Sequence, residues 1–510
     1  MTQDERTEEP RSEKGAAPIA ALDLGSNSFH LIIARVIGGQ LGVVDKLRDP
    51  VRMAAGLDAK KNISEEALER VLASLARFRE YLHDIPDERV RAIGTNAFRK
   101  AKNSNHVLEQ ASEALGYPLE VLSGAEEARL IYLGVAHDRP RTDGGRLVID
   151  IGGGSTECIL GRGFTTVFTD SLHMGCVSFS RRFFPDGKLT RRAFRKAEIA
   201  ARLEFETLEE RYRRRGWTEC IGSSGTINAI AEILRETGVS DGEITLSALK
   251  QIRRLMLDAE TVSKLDLPGM QNDRREVLAG GLAILKAAFE SMEIKSMHAS
   301  KAALREGVVY DLLGRINQED VRDRTIRMLS ERYHIDEDHA ARVERTALYC
   351  FDQLASTWKF DPIRDAQLLA WAARTHEIGL ALAYSGHQKH GHYILRNSDM
   401  PGFSRQEQER LSMIVRGHRG KLSRLDFSEF DNAWRKRLLR LILILRIATR
   451  MHRTRSPQAL PFFEITAKSG SISIRLPEAW LEEHPLTRSD LEDEASRFDN
   501  SGYRLEVATA

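Results

Sequence analysis

Two stretches of this chain are copies of each other. ALDLGSNSFHLIIA (21–34) aligns without gaps on VIDIGGGSTECILG (148–161), so that Asp23 falls on Asp150, Gly25 on Gly152 and Ser28 on Ser155. Each copy reads as an apolar strand closing on an aspartate, a glycine-bearing turn, a serine and a second apolar strand. A duplicated strand–turn–strand unit constrains the fold more than any other feature. It predicts two similar lobes facing each other across a cleft.

The segments around the copies alternate between strand and helix patterns. PIAALDL, SFHLIIARV and RVRAIGT read as strands, and SEEALERVLASLARFREYL (64–82) as a helix with Ser64 as its N-cap. LEVLSGAEEARLIYLGVA reads as a strand, a turn at Ser123–Gly124 and a helix. RLVIDI, STECILG and TTVFTDSLHM follow as strands, residues 190–215 as one long basic helix, and TECIGSSGTINAIAEIL as strand, Gly/Ser loop and helix. This mixture predicts an α/β region. Beyond about residue 315 strand signals fade and helical periodicity runs to residue 455. FFEITAKSGSISIRLP then reads as a hairpin around Ser469–Gly470, with a last strand near YRLEVA. The expected organisation is a polar, disordered lead-in (1–17), two lobes (18–136 and 137–314), a helical domain (315–455) and a small C-terminal α/β cap (456–510).

The turns of the repeat carry chemistry. Glycine lets backbone N–H groups approach an anion with no Cβ in the way. Ser26, Asn27, Ser28, Ser155 and Thr156 add polar side chains. A third cluster, Gly222-Ser223-Ser224-Gly225-Thr226, opens a helix, and a helix N-terminus also favours an anion. Taken singly each is an ordinary tight turn; together they form a phosphate cradle. Asp150 ends one strand and Glu157 begins the next, so a hairpin turns both carboxylates toward one cavity. Acids beside a phosphate cradle repel the substrate unless a cation intervenes, and Mg²⁺, with its hard oxygen ligands, suits that role. Glu126 and Glu127 in SGAEEARL are candidate bases, one expected to point inward and the other to solvent. Arg99 in GTNAFRK is a candidate phosphate clamp.

Bulk composition excludes little. Net charge is +2, with 42% hydrophobic and 29% charged residues, so no global field selects a polyanion. Cys158, Cys176, Cys220 and Cys350 form no CxxC pair, which fits a reducing compartment. LLRLILILRIAT (438–449) is too short to span a bilayer. The expected location is cytoplasmic, with peripheral attachment to the inner face of the cell membrane left open. WRKRLLRLILILRIATRMHRTR (434–455) holds eight Lys/Arg and no acid. It reads either as an ordinary solvated helix face or as a track for a polyanion, to which RRAFRK (191–196) and RYRRRG (211–216) would contribute.

DLGSNSFHLIIARV, GTNAFRKAKN, SGAEEARLIYLGV, LVIDIGGGSTE, MGCVSF and GSSGTI, in this order, resemble the bacterial exopolyphosphatase / guanosine pentaphosphate phosphohydrolase family. The likeness runs from about residue 18 to the C-terminus, including HEIGL and YILRNSDMPGF. It implies the duplicated, two-lobed actin/sugar-kinase-like (ribonuclease H-like) fold, followed by an HD-like helical domain, and a homodimer. It implies Glu127 as the catalytic glutamate and Asp150 and Glu157 as the metal-associated acids. It implies phosphate binding by Gly25, Ser26, Asn27, Ser28, Arg99, Gly152, Gly153, Gly154, Ser155, Ser224, Gly225 and Thr226. Gly154, MGCVSF and SGHQKHGHYILRNSD look closer to the exopolyphosphatase branch. The helical domain departs from the HD pattern: His376-Glu377 stands where His-Asp is usual, with His387, His390 and His392 nearby. The plainer reading of that cluster is a decayed domain that shapes substrate binding and the dimer; a second metal site is the sharper one.

The expected activity is therefore Mg²⁺-dependent hydrolysis of the terminal phosphoanhydride of inorganic polyphosphate, releasing orthophosphate, with no nucleic-acid partner. The nearest alternative is the same chemistry on guanosine pentaphosphate. A sugar kinase of the same superfamily and a non-catalytic polyphosphate- or alarmone-binding regulator stand further off, against the EEAR motif and the intact acids respectively.

Overall fold

The first strand of the repeat has two apolar faces. In β1 (Ile19–Leu24), Ala20, Leu22 and Leu24 enter one hydrophobic cluster while Ile19 and Ala21 enter another, as the two-residue period of a strand requires. In the computed structural model, β1 lies in a five-stranded sheet with β2 (Phe29–Ile37), β3 (Gln40–Asp49), β4 (Val90–Gly94) and β5 (Leu119–Val121), in the order β3-β2-β1-β4-β5. The structure describes residues 17–509 except 38–39, 59, 140–141, 143, 317–319, 469 and 499–501. The lead-in at residues 1–16 and the hairpin residue Ser469 lie outside the described residues. The chain divides between residues 319 and 320 into two compact units.

The second copy of the repeat builds a second sheet of the same design. β6 (Arg146–Ile151), β7 (Thr156–Arg162), β8 (Thr165–Leu172), β9 (Glu219–Ser223) and β10 (His298–Ala299) run β10-β9-β6-β7-β8. In both sheets the first three strands are antiparallel and the last two parallel to the first. The β-bulges also correspond: one falls between Ile33 and Ala34, the other between Leu160 and Gly161, which are aligned positions of the repeat. The duplication is thus one of topology and of local irregularity, not only of sequence.

Helices Gly124–Asp138 and Leu304–Ile316 form a shared middle layer. Leu130, Ile131 and Val135 of the first and Leu304, Val308 and Val309 of the second lie in one cluster with Ile19, Ala21, Ile32 and Ile93 of the first sheet and Val148, Ile159 and Ile221 of the second. The two helices cross at glycines. A Cβ on Gly134 would lie 2.2 Å from the Ala303 carbonyl oxygen, and one on Gly307 1.8 Å from that of Leu130. This backbone-to-backbone approach is open only to glycine.

Two local expectations are corrected. The basic segment 190–215 is two helices, Arg191–Glu206 and Glu209–Arg215, broken where Leu208 turns into the core. No loop separates strand from helix at the third Gly/Ser cluster: β9 ends at Ser223 and the helix Ser224–Glu236 begins at the next residue. Ser224 takes up the sharp junction with φ +90°, a costly conformation for a residue with a Cβ.

The second unit is mainly helical, from Val321–Arg332 to Asn432–Met451, and closes on a three-stranded sheet of β11 (Glu464–Lys468), β12 (Ser471–Leu476) and β13 (Arg504–Thr509). One hydrophobic core serves helices and sheet alike, joining Phe351, Leu441 and Ile444 to Ile465, Ile474 and Leu505. No described helix is long and apolar enough to cross a membrane. The four cysteines are buried and unpaired with one another.

Candidate active site

Strand alternation decides which groups meet. Asp23 shares the face of Ile19 and Ala21, His30 that of Ile32, Asp150 that of Val148 and Glu157 that of Ile159. All four side chains therefore turn toward the middle layer. Asp23 pairs with His30 across the first hairpin and Asp150 with Glu157 across the second. The turns between them, residues 25–28 and 152–155, are neighbours: a Cβ on Gly153 would lie 3.7 Å from Ser26 Cβ, and one on Gly154 3.9 Å from Ser26 Oγ.

The acids crowd each other. Burial, with repulsion from Glu127 and Asp150 added, pushes the Asp23 carboxyl up to about 7 against the pull of Arg305. Burial and Glu127 push Asp150 up to about 6 although Ser223 Oγ donates to it at 2.5 Å. Glu157 is raised well above the ordinary carboxylate range, by burial first and then by Glu127 and Asp150, against hydrogen bonds from Ser171 (2.8 Å) and Ser155. Asp23 Oδ1 is buried without a hydrogen-bond partner among the described residues. Buried carboxylates that raise one another, with one oxygen unmatched, fit a hard divalent cation. No three of them bring ligand atoms as close together as the group His339, His376 and Glu377 does in the other unit. That wider spacing suits an ion that keeps several waters.

Glu127 sits in the first turn of Gly124–Asp138, whose N-cap Ser123 accepts from Glu126 N. Arg99 Nη1 donates to Glu127 Oε2 at 2.6 Å and to the Leu122 carbonyl at 3.0 Å. The arginine read as a phosphate clamp thus holds the glutamate. The expectation that one of Glu126 and Glu127 faces solvent is not met; both are buried. Glu126 lies in an internal ion network, accepting from Arg129 Nε at 2.7 Å, and Arg129 also binds Asp311, which Arg91 Nη1 meets at 2.7 Å. The middle layer has protein on both sides, and both glutamates point into it.

The first turn carries cations that sequence reasoning missed. Arg305 Nη1 donates to His30 Nδ1 at 3.2 Å. An arginine only donates, so the neutral ring keeps its proton on Nε2. Burial, then Arg305, Arg48 and Arg274, hold His30 down near 3. Arg48 also reaches Ser28 Oγ at 3.4 Å and Asp273 at 2.5 Å. Arg274 covers the Ser224 junction: a Cβ on Gly225 would strike its guanidinium at 2.4 Å. Ser224 Oγ and Asn96 Nδ2 are buried polar atoms without partners among the described residues, while the Thr226 hydroxyl lies beside the Cys176 thiol. A cavity of about 780 Å³ opens beside Gly225, lined among others by Asn228, Gln271, Arg274 and Lys301. The repeat was the one sequence signal for Asp23 and His30; nothing local marks Arg48, Arg274 or Arg305.

The basic segment 434–455 is largely spent inside its own unit. Arg446 is fully buried on Glu494, Arg450 binds the same carboxylate at 2.8 Å, and Arg453 binds Asp490. Arg440 donates to Tyr503 Oη and the Trp358 carbonyl, Arg435 to the carbonyls of Phe427 and Phe430, and Arg455 to Glu377 and Asp336. Neither an open polyanion track nor a solvated face describes the segment, because Arg446, Arg450, Arg453 and Arg455 are held by carboxylates of their own unit. In RYRRRG, Arg211, Arg213 and Arg214 are likewise paired, with Asp170, Glu293 and Glu210.

Two duplicated sheets whose glycine-bearing turns are neighbours, with buried acids beneath them, fit a phosphoryl-handling enzyme class. Family comparison makes this specific. Residues 32–316 match the Ppx/GppA phosphatase family and residues 321–495 its domain III. The chain belongs to the Ppx/GppA phosphatase family, which makes it a hydrolase. It is 39% identical to the guanosine-5'-triphosphate,3'-diphosphate pyrophosphatase of Pseudoalteromonas translucida over 96% of this chain and 98% of that one. It is also 39% identical to the protein of the same name from Aeromonas hydrophila, over 96% and 99%. Among solved structures it resembles an exopolyphosphatase from Cytophaga hutchinsonii, with TM-score 0.52 and 25% identity, covering 58% of this chain and 97% of that one. The Aquifex aeolicus Ppx-GppA enzyme matches with TM-score 0.50 and 25% identity, covering 57% and 98%.

These relatives favour the pentaphosphate branch over the exopolyphosphatase branch read from Gly154, MGCVSF and SGHQKHGHYILRNSD. Gly154 also has a packing reason: a Cβ there would lie 2.6 Å from Asn96 Nδ2.

Proposed function

We propose that this protein hydrolyses the terminal phosphoanhydride of the 5'-triphosphate of guanosine 5'-triphosphate 3'-diphosphate, releasing orthophosphate. The observation that carries this reading is the 39% identity, over nearly the whole of both chains, to relatives named for that substrate. The internal pairing of the arginines at 435–455 supports it, since a long polyphosphate has the greater need of an open basic track. The polar cavity beside Gly225 gives a nucleoside somewhere to go. The matched sheet orders support counting the first unit among actin/sugar-kinase-like folds, and the helical unit is read as HD-like.

In this reading Glu127 takes the proton of the attacking water at Oε1, its other oxygen being held by Arg99. The water oxygen bonds to the terminal 5'-phosphorus, the bond to the bridging oxygen breaks, and guanosine 5'-diphosphate 3'-diphosphate leaves with the electron pair on that oxygen. Backbone amides of Gly25–Ser28 and Gly153–Ser155, with those opening the helix at Ser224–Thr226, bind the equatorial oxygens, while Gly152 N–H already donates to the Ser155 carbonyl at 3.0 Å. Asp150 and Glu157, with Asp23 nearby, would hold Mg²⁺, which when bound neutralises phosphate charge and stabilises the leaving oxygen.

The test is orthophosphate release with Mg²⁺ from guanosine pentaphosphate and from long-chain polyphosphate in parallel. A kcat/KM at least about tenfold higher on the pentaphosphate is expected. Preference for polyphosphate would return the protein to the exopolyphosphatase branch, and binding of either without release would make it a regulator.

A further inference from the structure

Beside the carboxylates around Glu127, the middle layer holds a second set of buried charges, three acids and three arginines from four elements. Glu126 and Arg129 come from the helix Gly124–Asp138, Asp311 and Arg315 from Leu304–Ile316, Arg91 from β4 and Glu120 from β5. Arg129 Nε and Nη2 donate to the two oxygens of Glu126 at 2.7 and 2.8 Å, and Nη2 also donates to Asp311 Oδ1. Asp311 Oδ2 accepts from Arg91 Nη1 at 2.7 Å and from Arg315 Nε at 3.0 Å. Arg91 reaches back to Glu120 at 3.1 and 3.2 Å. Arg91, Glu126, Arg129 and Asp311 are all buried.

Such a set is a poor way to gain stability. Each ion gives up its water on burial, and well-packed apolar side chains of the same volume do as well or better. Leu130, Val308 and Val309 of the same two helices already pack in that apolar way. What the charges add is direction, since a guanidinium fork and its carboxylates are satisfied in one mutual geometry. Burial pushes the Asp311 carboxyl up, but Arg129, Arg315 and Arg91 outweigh it and hold the group well below the usual carboxylate range. The network therefore stays charged and acts as a fixed brace, not a pH switch. Its place matters. Gly134 and Gly307 bring the two helices into backbone contact, and helices touching at glycines are still free to pivot about the contact. Arg129 and Asp311, about one turn from Gly307 along its helix, tie the pair together and remove that freedom. Glu126 precedes Glu127 in the first turn, and successive helix residues point about 100° apart. One side chain thus enters the brace while the other faces Asp150 and Glu157.

We propose that Glu126, Arg129 and Asp311 are positioning residues: anchored through Asp311 to β4 and to the neighbouring helix, they hold the first turn of Gly124–Asp138 at the angle that aims Glu127 Oε1 at the attacking water. The inference rests on Glu127 as the base, the reading given above. Arg99 fixes the other oxygen of that side chain, so its tip and its backbone are held from two directions. Loss of the brace shifts the base without touching a phosphate-binding group, so turnover should fall and substrate binding should not.

In the full chain, Glu126→Met/Arg129→Met/Asp311→Leu replaces the charges by apolar groups of similar volume, which should leave the melting temperature by circular dichroism close to that of wild type. Phosphate release is then followed on whichever of guanosine pentaphosphate and polyphosphate is the faster substrate. The triple variant should show kcat lower by about 10–100-fold, the cost of misplacing a catalytic group by on the order of 1 Å, with KM within about threefold. Lys286→Met removes a buried ion from another network of the same unit, with Glu198 and Glu290, and should leave kcat unchanged. The milder Asp311→Asn serves where the triple variant does not fold, and is read in two backgrounds. It should lower kcat in wild type and change it by less than about twofold in Glu127→Gln, because its effect passes through that side chain. A folded triple variant with wild-type kcat would overturn the brace, as would an Asp311→Asn loss of the same factor in both backgrounds; either result leaves the base standing. Nearly full activity of Glu127→Gln itself would remove the base, and the role of the brace with it.

Discussion

The two hairpin turns have the same backbone and opposite electrostatics. In the first, the position paired with the strand-end aspartate is His30, with Arg305 at 3.2 Å and Arg48 and Arg274 nearby. In the second it is Glu157, facing Asp150 and Glu127. In the function proposed above, the first turn receives negative charge and the acids of the second hold a cation. Strand register aims His30 and Glu157 at the same middle layer, and Arg305, Arg48 and Arg274 on one side and Glu127 on the other complete the contrast.

The largest effect should come from the acid side. Glu127→Gln is expected to lower kcat by about 10³-fold with KM within a few-fold, the range for loss of a positioned base. Stopped-assay phosphate release measures it, and activity surviving nearly intact would remove Glu127 from the role. Glu157→Gln should lower turnover similarly and, unlike Glu127→Gln, should also raise the Mg²⁺ concentration needed for half-maximal rate.

Next in size is a swap that makes the turns alike. His30→Glu gives the first turn the second turn's acid, beside Arg305. Substrate KM should rise by roughly 10–100-fold, since cations meant for phosphate become neutralised. An unchanged KM would mean that the contrast between the turns has no part in binding.

Stability should follow pH through the strand-end aspartates. Their carboxyls sit near 7 (Asp23) and 6 (Asp150) in the folded chain, above the unfolded value of about 3.9. The stability they contribute is full below about pH 4 and is lost as pH rises through 6 and 7. Buried histidines such as His30, held near 3, pull the other way, so the aspartate part is read as a difference: in urea unfolding in EDTA, wild type should lose on the order of 1–3 kcal/mol relative to Asp23→Asn between pH 5 and pH 8. Mg²⁺ should offset that difference at pH 8. The smallest expected effect is that of Gly154→Ala, costing about 1 kcal/mol by crowding Asn96 and leaving the ratio of pentaphosphate to polyphosphate turnover within about threefold of wild type. A switch in that ratio would reinstate the glycine as a specificity residue.

Much of the fold was legible because it is written locally. The repeat, the Ser64 cap and the apolar periods at 64–82 and 146–162 depend on neighbours in sequence. So do the glycine turns and the aspartates that end their strands. What the sequence could not determine were meetings between distant side chains. Arg99 reading as a clamp but holding Glu127, Glu126 vanishing into a network with Asp311, and Arg446 buried on Glu494 are all outcomes of packing. An arginine's partner is set by which helix lies across from it, and no periodicity encodes that. The same holds for His339 and His418, which sequence reasoning passed over because their helices come together only in the folded unit. Sequence alone determined the duplicated frame and the acids it carries; tertiary structure decided which charges face each other, because electrostatic energy depends on distances through space that the order of residues does not contain.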